Sequence, residues 1–147
     1  MTLPDSDVER VLSAAETIEK SLGILAKKQQ MEREEYRNDT ASQDVVERRF
    51  VKVTEAALDI AETVVVHETG RYPKSNPKTM LKLAEADVLD EKTAEEMTQA
   101  ARFRNVLAHT YGEIIDHDVV YDALQDLRRY RDFLAAVRDY MDETGAL

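Results

Sequence analysis

Cysteine is absent from this sequence of 147 residues, and glycine and proline occur only four and three times. The lack of cysteine excludes disulfides, thiolate metal ligands and cysteine nucleophiles, and it fits a reducing compartment such as the cytoplasm. Long stretches without glycine or proline favour helices. No apolar run approaches the roughly 20 residues of a membrane span, and residues 1–7 lack the features of a secretory signal. We therefore expect a cytoplasmic protein with no membrane partner.

The charge balance is strongly acidic, with a formal net charge of −10 and 34% charged residues. A chain of this kind is not a general binder of polyanions, so we expect no DNA partner. A solvated acidic surface is typical of proteins from salt-adapted organisms. High salt would shorten the Debye length to a few ångströms, so that local charge at a site outweighs net charge.

Apolar residues recur at steps of three and four along most of the chain, as Val46, Phe50 and Val53 do, and this spacing predicts amphipathic helices. The predicted helices span about residues 5–35, 41–69, 77–86, 91–104 and 118–142. No alternation with a period of two indicates a strand. The pattern predicts an all-α, up-and-down bundle of about five helices, in one domain covering residues 1–147.

Helix boundaries have their own signals. Thr40 and Gln43 match a capping box, in which each side chain satisfies a backbone N–H of the first turn. Asp90 and Asp118 stand where N-caps of the fourth and fifth helices are expected. Gly70 suits the position just after the second helix.

The stretch Arg102 to Tyr111 reads RFRNVLAHTY and gathers the side chains best suited to chemistry. Histidine transfers protons near neutral pH, and arginine holds a phosphoryl oxygen through two parallel hydrogen bonds. If RNA is the substrate, the ribose 2′-OH is the nucleophile. His109 would then remove its proton and Arg104 would stabilise the transition state, with no metal or cofactor. The alternative is a histidine that caps or packs against a helix end and an arginine in a surface ion pair.

The spacing of these two residues limits this mechanism. Positions five apart on an ideal helix lie about 140° apart around its axis. Arg104 and His109 therefore share a site only if the helix unwinds between them, or if a two-fold dimer places both motifs in one cleft. Gly112 and the β-branched residues near it favour unwinding, so we expect a break over residues 106–116.

Other polar residues carry weaker signals. Arg48, Arg49, Lys52 and Arg102 could line an RNA cleft, or they could form a solvated surface with nearby glutamates. His67 suits a capping role near the end of the second helix.

His117 lies between Asp116 and Asp118, a trio that fits a helix N-cap better than a metal site. The sequence contains no glycine-rich phosphate loop and no zinc-binding helix motif.

The string RNVLAHTY, from Arg104 to Tyr111, resembles the R-x4-6-H motif of HEPN domains, and more narrowly the R-x4-H-x-Y form of HepT toxins. The polar residue that follows the arginine in that family is Asn105 here. The first helix with its polar end, the segment DVVERRF at residues 44–50 and the short helix before residue 86 are similar to family features in the same order. The resemblance covers most of the chain.

The resemblance implies a HEPN helical bundle that acts as a homodimer and cleaves RNA at Arg104, Asn105 and His109. It also implies a partner, a minimal nucleotidyltransferase antitoxin that adds AMP to the motif tyrosine, which is Tyr111 here. AMP would add bulk and negative charge two residues from His109.

Two alternatives from other functional classes stay open at this point. One is a non-catalytic HEPN module that binds and regulates a nucleotidyltransferase. The other is a helical dimerisation domain without a ligand. The intact set of Arg104, Asn105 and His109 favours the nuclease, because a binding module does not need it.

Overall fold

The structure is a computed structural model, and it describes residues 2–73, 76–109 and 115–145. The chain folds into an assembly of helices. Within these ranges there are seven helices and no strand, which confirms the all-α prediction but exceeds the predicted count of five. None of the helices in these ranges is long and apolar enough to cross a membrane. The helices are α1 (Asp5–Lys28), α2 (Arg33–Arg37), α3 (Thr40–Thr69), α4 (Asn76–Glu85), α5 (Glu91–His109), α6 (His117–Leu124) and α7 (Arg128–Glu143).

Helix α3 is the centre of the bundle and packs against all six other helices in the described ranges. Its predicted apolar stripe is buried throughout, and so are the inward residues of α5 and most of those of α1, α6 and α7. The stripe prediction is therefore confirmed. Burial of such side chains stabilises the fold by about 1.5–3 kcal/mol for each large residue. The buried stripe of α3 consists of Val46, Phe50, Val53, Ala57, Ile60 and Val64.

The first predicted helix is divided into two. Helix α1 ends at Lys28, and the short helix α2 follows after a turn. The polar segment does not protrude, because Tyr36 turns inward and is 0% exposed. The backbone carbonyl of Tyr36 accepts a hydrogen bond of 2.9 Å from the Gln43 side chain. One aromatic anchor in a polar segment thus ends the helix where periodicity alone extends it.

The predicted capping box of α3 is wrong in detail. Asp39 caps this helix by accepting a hydrogen bond of 3.0 Å from the backbone N–H of Ser42. The Gln43 side chain instead donates to the carbonyls of Tyr36 and Arg37. Two of the other three signals are confirmed, since Asp90 accepts a hydrogen bond of 2.7 Å from Thr93 N–H and Gly70 ends α3 with a φ of 72°.

The last predicted helix is also two helices, and Asp118 does not cap it. Asp116 caps α6 by accepting hydrogen bonds from the backbone N–H groups at positions 118 and 119. The break before α7 contains Asp126, whose carboxylate accepts from the backbone N–H and the guanidinium of Arg128. An aspartate that bonds its local backbone in this way competes with helix continuation. These bonds hold the pKa of Asp126 well below its usual range.

Tyr36→Phe tests the environment of the buried phenol. The Tyr36 hydroxyl has no hydrogen-bond partner among the described residues, so we expect the variant to be as stable as the wild type at neutral pH, or more stable by up to about 1–3 kcal/mol. Burial raises the pKa of Tyr36 above its ordinary value, and the carboxylates of Glu47 and Asp44 raise it further. The free energy of unfolding of the wild type should therefore fall as the pH rises above about 10.

Urea unfolding at pH 7 and at pH 10.5 measures both effects. The variant should lose less stability than the wild type over this interval. Tyr72→Phe, at an exposed position, is the matched control. A lower unfolding midpoint for Tyr36→Phe at pH 7 would show that the hydroxyl makes a stabilising bond and would contradict the prediction.

Candidate active site

Between Arg104 and His109 the structure does not contain the break that the sequence predicts, and residues 110–114 of the predicted break lie outside the described residues. Helix α5 continues through Arg104 to His109, so the predicted end near Arg104 and the predicted unwinding between these residues are wrong. Phe103 and Leu107, which are four residues apart, pack against the core. The Phe103 ring meets the Phe50 ring of α3 edge to face, with centroids 5.4 Å apart. This apolar contact holds the last turns of α5 in helical form, and Gly112 lies beyond them.

Arg104 is half-buried and is oriented by its neighbour. One terminal nitrogen of its guanidinium donates a hydrogen bond of 2.7 Å to the Asn105 side-chain oxygen. The Nε atom of Arg104 is buried and has no hydrogen-bond partner among the described residues. A buried donor without a partner is costly, about 1–3 kcal/mol or more for a charged group. Such a donor fits an anionic acceptor that comes from another molecule.

His109 is the last residue of α5 and is exposed. Because the helix is continuous, the side chains of His109 and Arg104 leave it about 140° apart. Asn105 precedes His109 by four residues, so these two share a face. Arg102 and Val106 lie on the same exposed stripe. Arg104 is therefore hydrogen-bonded to Asn105, and Asn105 lies on the same helix face as His109. Within one chain, however, Arg104 and His109 do not come together.

The predicted RNA-binding residues separate into two groups. Arg48 and Lys52 line a groove of about 620 Å3 between α1 and α3. Arg49 and Arg102 do not line it, and Arg102 lies with the exposed stripe of α5. Tyr111 lies outside the described residues.

A polar cluster beside α6 was not predicted from the sequence. Nδ1 of His117 lies 3.7 Å from a carboxylate oxygen of Glu47, which is 19% exposed. The ring of His117 also meets the buried ring of Tyr36 edge to face. Partial burial raises the pKa of Glu47, an effect that His117 partly offsets. No spacing pattern in the sequence indicates this cluster, because its members come from three separate helices.

Helix α6, which follows the motif in the chain, is attached to α2 by ion pairs. Asp118 accepts from the guanidinium groups of Arg37, at 2.9 Å, and Arg33, at 3.3 Å, and these bonds lower the pKa of Asp118. The hydroxyl of Tyr121 donates to the backbone carbonyl of Met31. The residues on either side of His117 are thus engaged in capping and ion pairing, as the N-cap interpretation predicts. Among the described residues, no group of three or more acidic or histidine side chains could hold a metal ion.

Comparisons with known proteins show which family this helical bundle belongs to. The sequence pattern of the family described as ribonuclease HepT-like matches residues 11–137, most of the chain. The chain belongs to the ribonuclease HepT-like family. A relative from Aphanizomenon flos-aquae (strain 2012/KM1/D3), the tRNA nuclease HepT, is 22% identical over 126 residues, which cover 86% of each protein. The predicted resemblance to HepT toxins and the predicted ribonuclease class are confirmed at the level of the family.

Two solved structures show the same fold. The tri-AMPylated HEPN toxin of Shewanella oneidensis, in complex with its MNT antitoxin, aligns with a TM-score of 0.80 at 18% identity, over 88% of this chain and 97% of the toxin. The Bacillus subtilis protein YutE, described as a cytosolic protein of unknown function, aligns with a TM-score of 0.75 at 21% identity, over 97% of this chain and 94% of YutE. The predicted HEPN bundle is therefore confirmed.

Glu47→Gln tests the electrostatics of the cluster beside α6. A carboxyl whose pKa is raised in the folded state contributes stability below its ordinary pKa of about 4.3 and loses it as the pH rises. We expect Glu47→Gln to be more thermostable than the wild type at pH 7, with a difference that shrinks toward pH 4. Thermal unfolding at both pH values measures this.

Glu55→Gln is the control on the same helix, because Glu55 is exposed. A Glu47→Gln variant that is less stable at pH 7 would contradict the expectation. It would show that the carboxylate is held in a favourable pair with His117.

Proposed function

We propose that this chain is an endoribonuclease toxin that cleaves RNA with His109 as general base and acid and with Arg104 at the phosphoryl group. The observation that carries the proposal is the guanidinium of Arg104. Asn105 orients it, and its buried Nε has no partner among the described residues. The family and its tRNA nuclease relative support an RNA substrate.

The chemistry requires no group beyond the side chains and the substrate. His109 removes the proton of the ribose 2′-OH, and the 2′ oxygen attacks the adjacent phosphorus. Arg104 stabilises the negative charge that builds on the equatorial oxygens. The bond to the 5′ oxygen breaks, and the protonated imidazole of His109 gives a proton to this oxygen as it leaves. The products are a 2′,3′-cyclic phosphate and a 5′-OH end.

The site is completed by a second copy of the chain. On one continuous helix, Arg104 and His109 point about 140° apart, so one copy does not direct both at the same phosphate. A two-fold dimer that pairs two α5 ends places the Arg104 of one copy opposite the His109 of the other. Val106 supports this arrangement, because it is a valine 60% exposed on the stripe of α5 that carries His109.

The substrate path includes the cations that the sequence singles out. Arg48 and Lys52 share the groove between α1 and α3, and Arg49 and Arg102 add positive charge outside it. In this proposal they bind RNA phosphates, which requires local positive charge on an acidic chain.

The regulatory partner is a minimal nucleotidyltransferase antitoxin. The proposal that it adds AMP to Tyr111 is supported by the Shewanella oneidensis toxin, which is AMPylated and in complex with its MNT antitoxin. AMP on Tyr111 would inhibit cleavage because its phosphate carries negative charge close to the position of the scissile phosphate.

Substitution of either catalytic residue tests the reaction. We expect His109→Ala to lower the rate of tRNA cleavage by about 10²–10⁴-fold, the contribution of a positioned base. Arg104→Ala should lower it by about 10²–10³-fold. Helical content should not change. The products should carry 2′,3′-cyclic phosphates, and cleavage should continue in EDTA.

His67→Ala, in the last turn of α3, is the control for loss of a histidine and should cleave at the parental rate. Parental cleavage by His109→Ala would refute the mechanism. A strict requirement for a metal ion would refute it as well.

Mixed dimers test the shared site. Arg104→Ala and His109→Ala chains that carry different affinity tags are co-expressed, and the mixed dimer is purified through both tags. One of its two sites then combines an intact Arg104 with an intact His109, so about half of the wild-type activity should return. Mixed dimers as inactive as either parent, or a protein that stays monomeric, would contradict the shared site.

Tyr111→Phe tests regulation. The variant should cleave RNA like the wild type but should not be inactivated by the antitoxin and ATP, because it lacks the acceptor hydroxyl. Mass spectrometry should find AMP on the wild-type peptide and on the same peptide of a Tyr72→Phe control. AMP on the Tyr111→Phe peptide would refute the assignment of the acceptor.

A further inference from the structure

A groove lies at the C-terminal end of α3, which is the end farther from the motif. Its volume is about 680 Å3. It lies beside the end of α3 and the start of α4, and nothing in the proposed reaction uses it. Its lining consists of Val65, Thr69, Arg71, Tyr72, Pro73, Lys78, Lys82 and Glu85.

The groove contains cations that carboxylates do not neutralise. Elsewhere on this acidic chain many cations form ion pairs, such as Arg10 with Asp59 at 3.0 Å. In the groove Lys82 pairs with Glu85 at 3.4 Å. Arg71 and Lys78 are exposed, and no carboxylate of the described residues pairs with either of them. Two unneutralised cations on the rim of a groove form a local site for anions.

An aromatic side chain stands beside these cations. Tyr72 is 81% exposed, the largest exposed fraction among the exposed large hydrophobic side chains of the described residues. A tyrosine this exposed buries little apolar area, so its ring contributes little to the stability of the fold. Exposed aromatic rings next to positive charge are typical of surfaces that bind single-stranded nucleic acid, because a base stacks on the ring while the cations bind phosphates.

The residues around Tyr72 limit the direction from which an anionic ligand can approach its ring. On its other side Tyr72 borders a hollow of about 120 Å3 that is lined by Asp7, Asp59 and Glu62, together with Arg10. The three carboxylates repel phosphate and exceed the one cation. An anionic ligand therefore reaches Tyr72 from the side of Arg71 and Lys78.

We propose that this groove binds an unpaired segment of RNA, with a base stacked on Tyr72 and the neighbouring phosphates bound to Arg71 and Lys78. The inference rests on the proposed ribonuclease function and adds a second RNA contact remote from the scissile bond. Val65 and Thr69 follow Phe50 by 15 and 19 residues. At 1.5 Å per residue the groove thus lies about 22–28 Å along α3 from the contact between Phe50 and Phe103. One RNA of the size of a tRNA can reach both places.

Binding of a non-cleavable RNA tests this contact. The probe is a fluorescein-labelled, unstructured 20-nucleotide RNA with 2′-O-methyl groups, which lacks the attacking hydroxyl. Fluorescence anisotropy measures its affinity for the full chain across a series of salt concentrations. Tyr72→Ala should weaken binding by about 5–150-fold, the effect of losing one stacked base. The double variant Arg71→Ala/Lys78→Ala should lower the slope of log affinity against log salt by about 1.4, since each phosphate contact on a single strand contributes about 0.7.

The control is the double variant Lys20→Ala/Arg131→Ala. It removes the same number of charges from exposed positions on α1 and α7, where no described carboxylate pairs with either cation. It should keep the wild-type salt slope.

Four outcomes would overturn the inference. If the groove variants bind the probe like the control, the groove does not contact RNA. If they keep RNA binding but lose binding to the nucleotidyltransferase antitoxin, the groove is a protein-docking surface. If the wild type neither binds the probe nor cleaves tRNA, the proposed ribonuclease function fails together with the inference. If the wild type cleaves tRNA and the groove variants cleave it equally well, the inference alone is refuted and the proposed ribonuclease function is not.

Discussion

The packing of α5 on α3 determines the direction of the motif side chains from Arg102 to His109. Phe103 meets Phe50, and Leu107 follows one turn later on the same face. With these two residues held inward, the helical period fixes Arg104 beside the core and His109 toward solvent. No rotation of α5 brings Arg104 and His109 to one face, because both lie on one continuous helix. The apolar contact that keeps this helix intact is therefore the reason that the proposed site needs a second copy of the chain.

Acidity and RNA cleavage are compatible where carboxylates are engaged within the fold. Asp116 caps a helix, Asp118 holds two arginines, and Asp126 ends the turn before α7. Each carboxylate of this kind neutralises a dipole or a cation of the fold and presents little free charge to a ligand. The cations that pair with no described carboxylate, including Arg71 and Arg102, are then the groups that a polyanion encounters. Net charge alone is a poor guide to such a surface.

The sequence predicts the parts of the fold that follow the helical period of the apolar residues. It does not predict the places where a single residue overrides that period. The stripes of α3, α5 and α7 are regular because each helix buries one face over many turns. Tyr36 lies in a strongly polar segment, so its burial could not be predicted. The motif residues were found by their types, but the helix was expected to unwind because Gly112 and its neighbours suggest an earlier stop. Partners such as Glu47 and His117 are 70 residues apart, and only the packed helices bring them together.

The position of His109 as the final residue of α5 has a consequence for modification. Tyr111 follows it by two residues, and two residues of fully extended chain span at most about 7 Å. A group attached to that tyrosine is thus tethered near the imidazole in every conformation that the backbone can adopt. Steric hindrance by such a group then depends on the length of the covalent chain rather than on a specific docked pose.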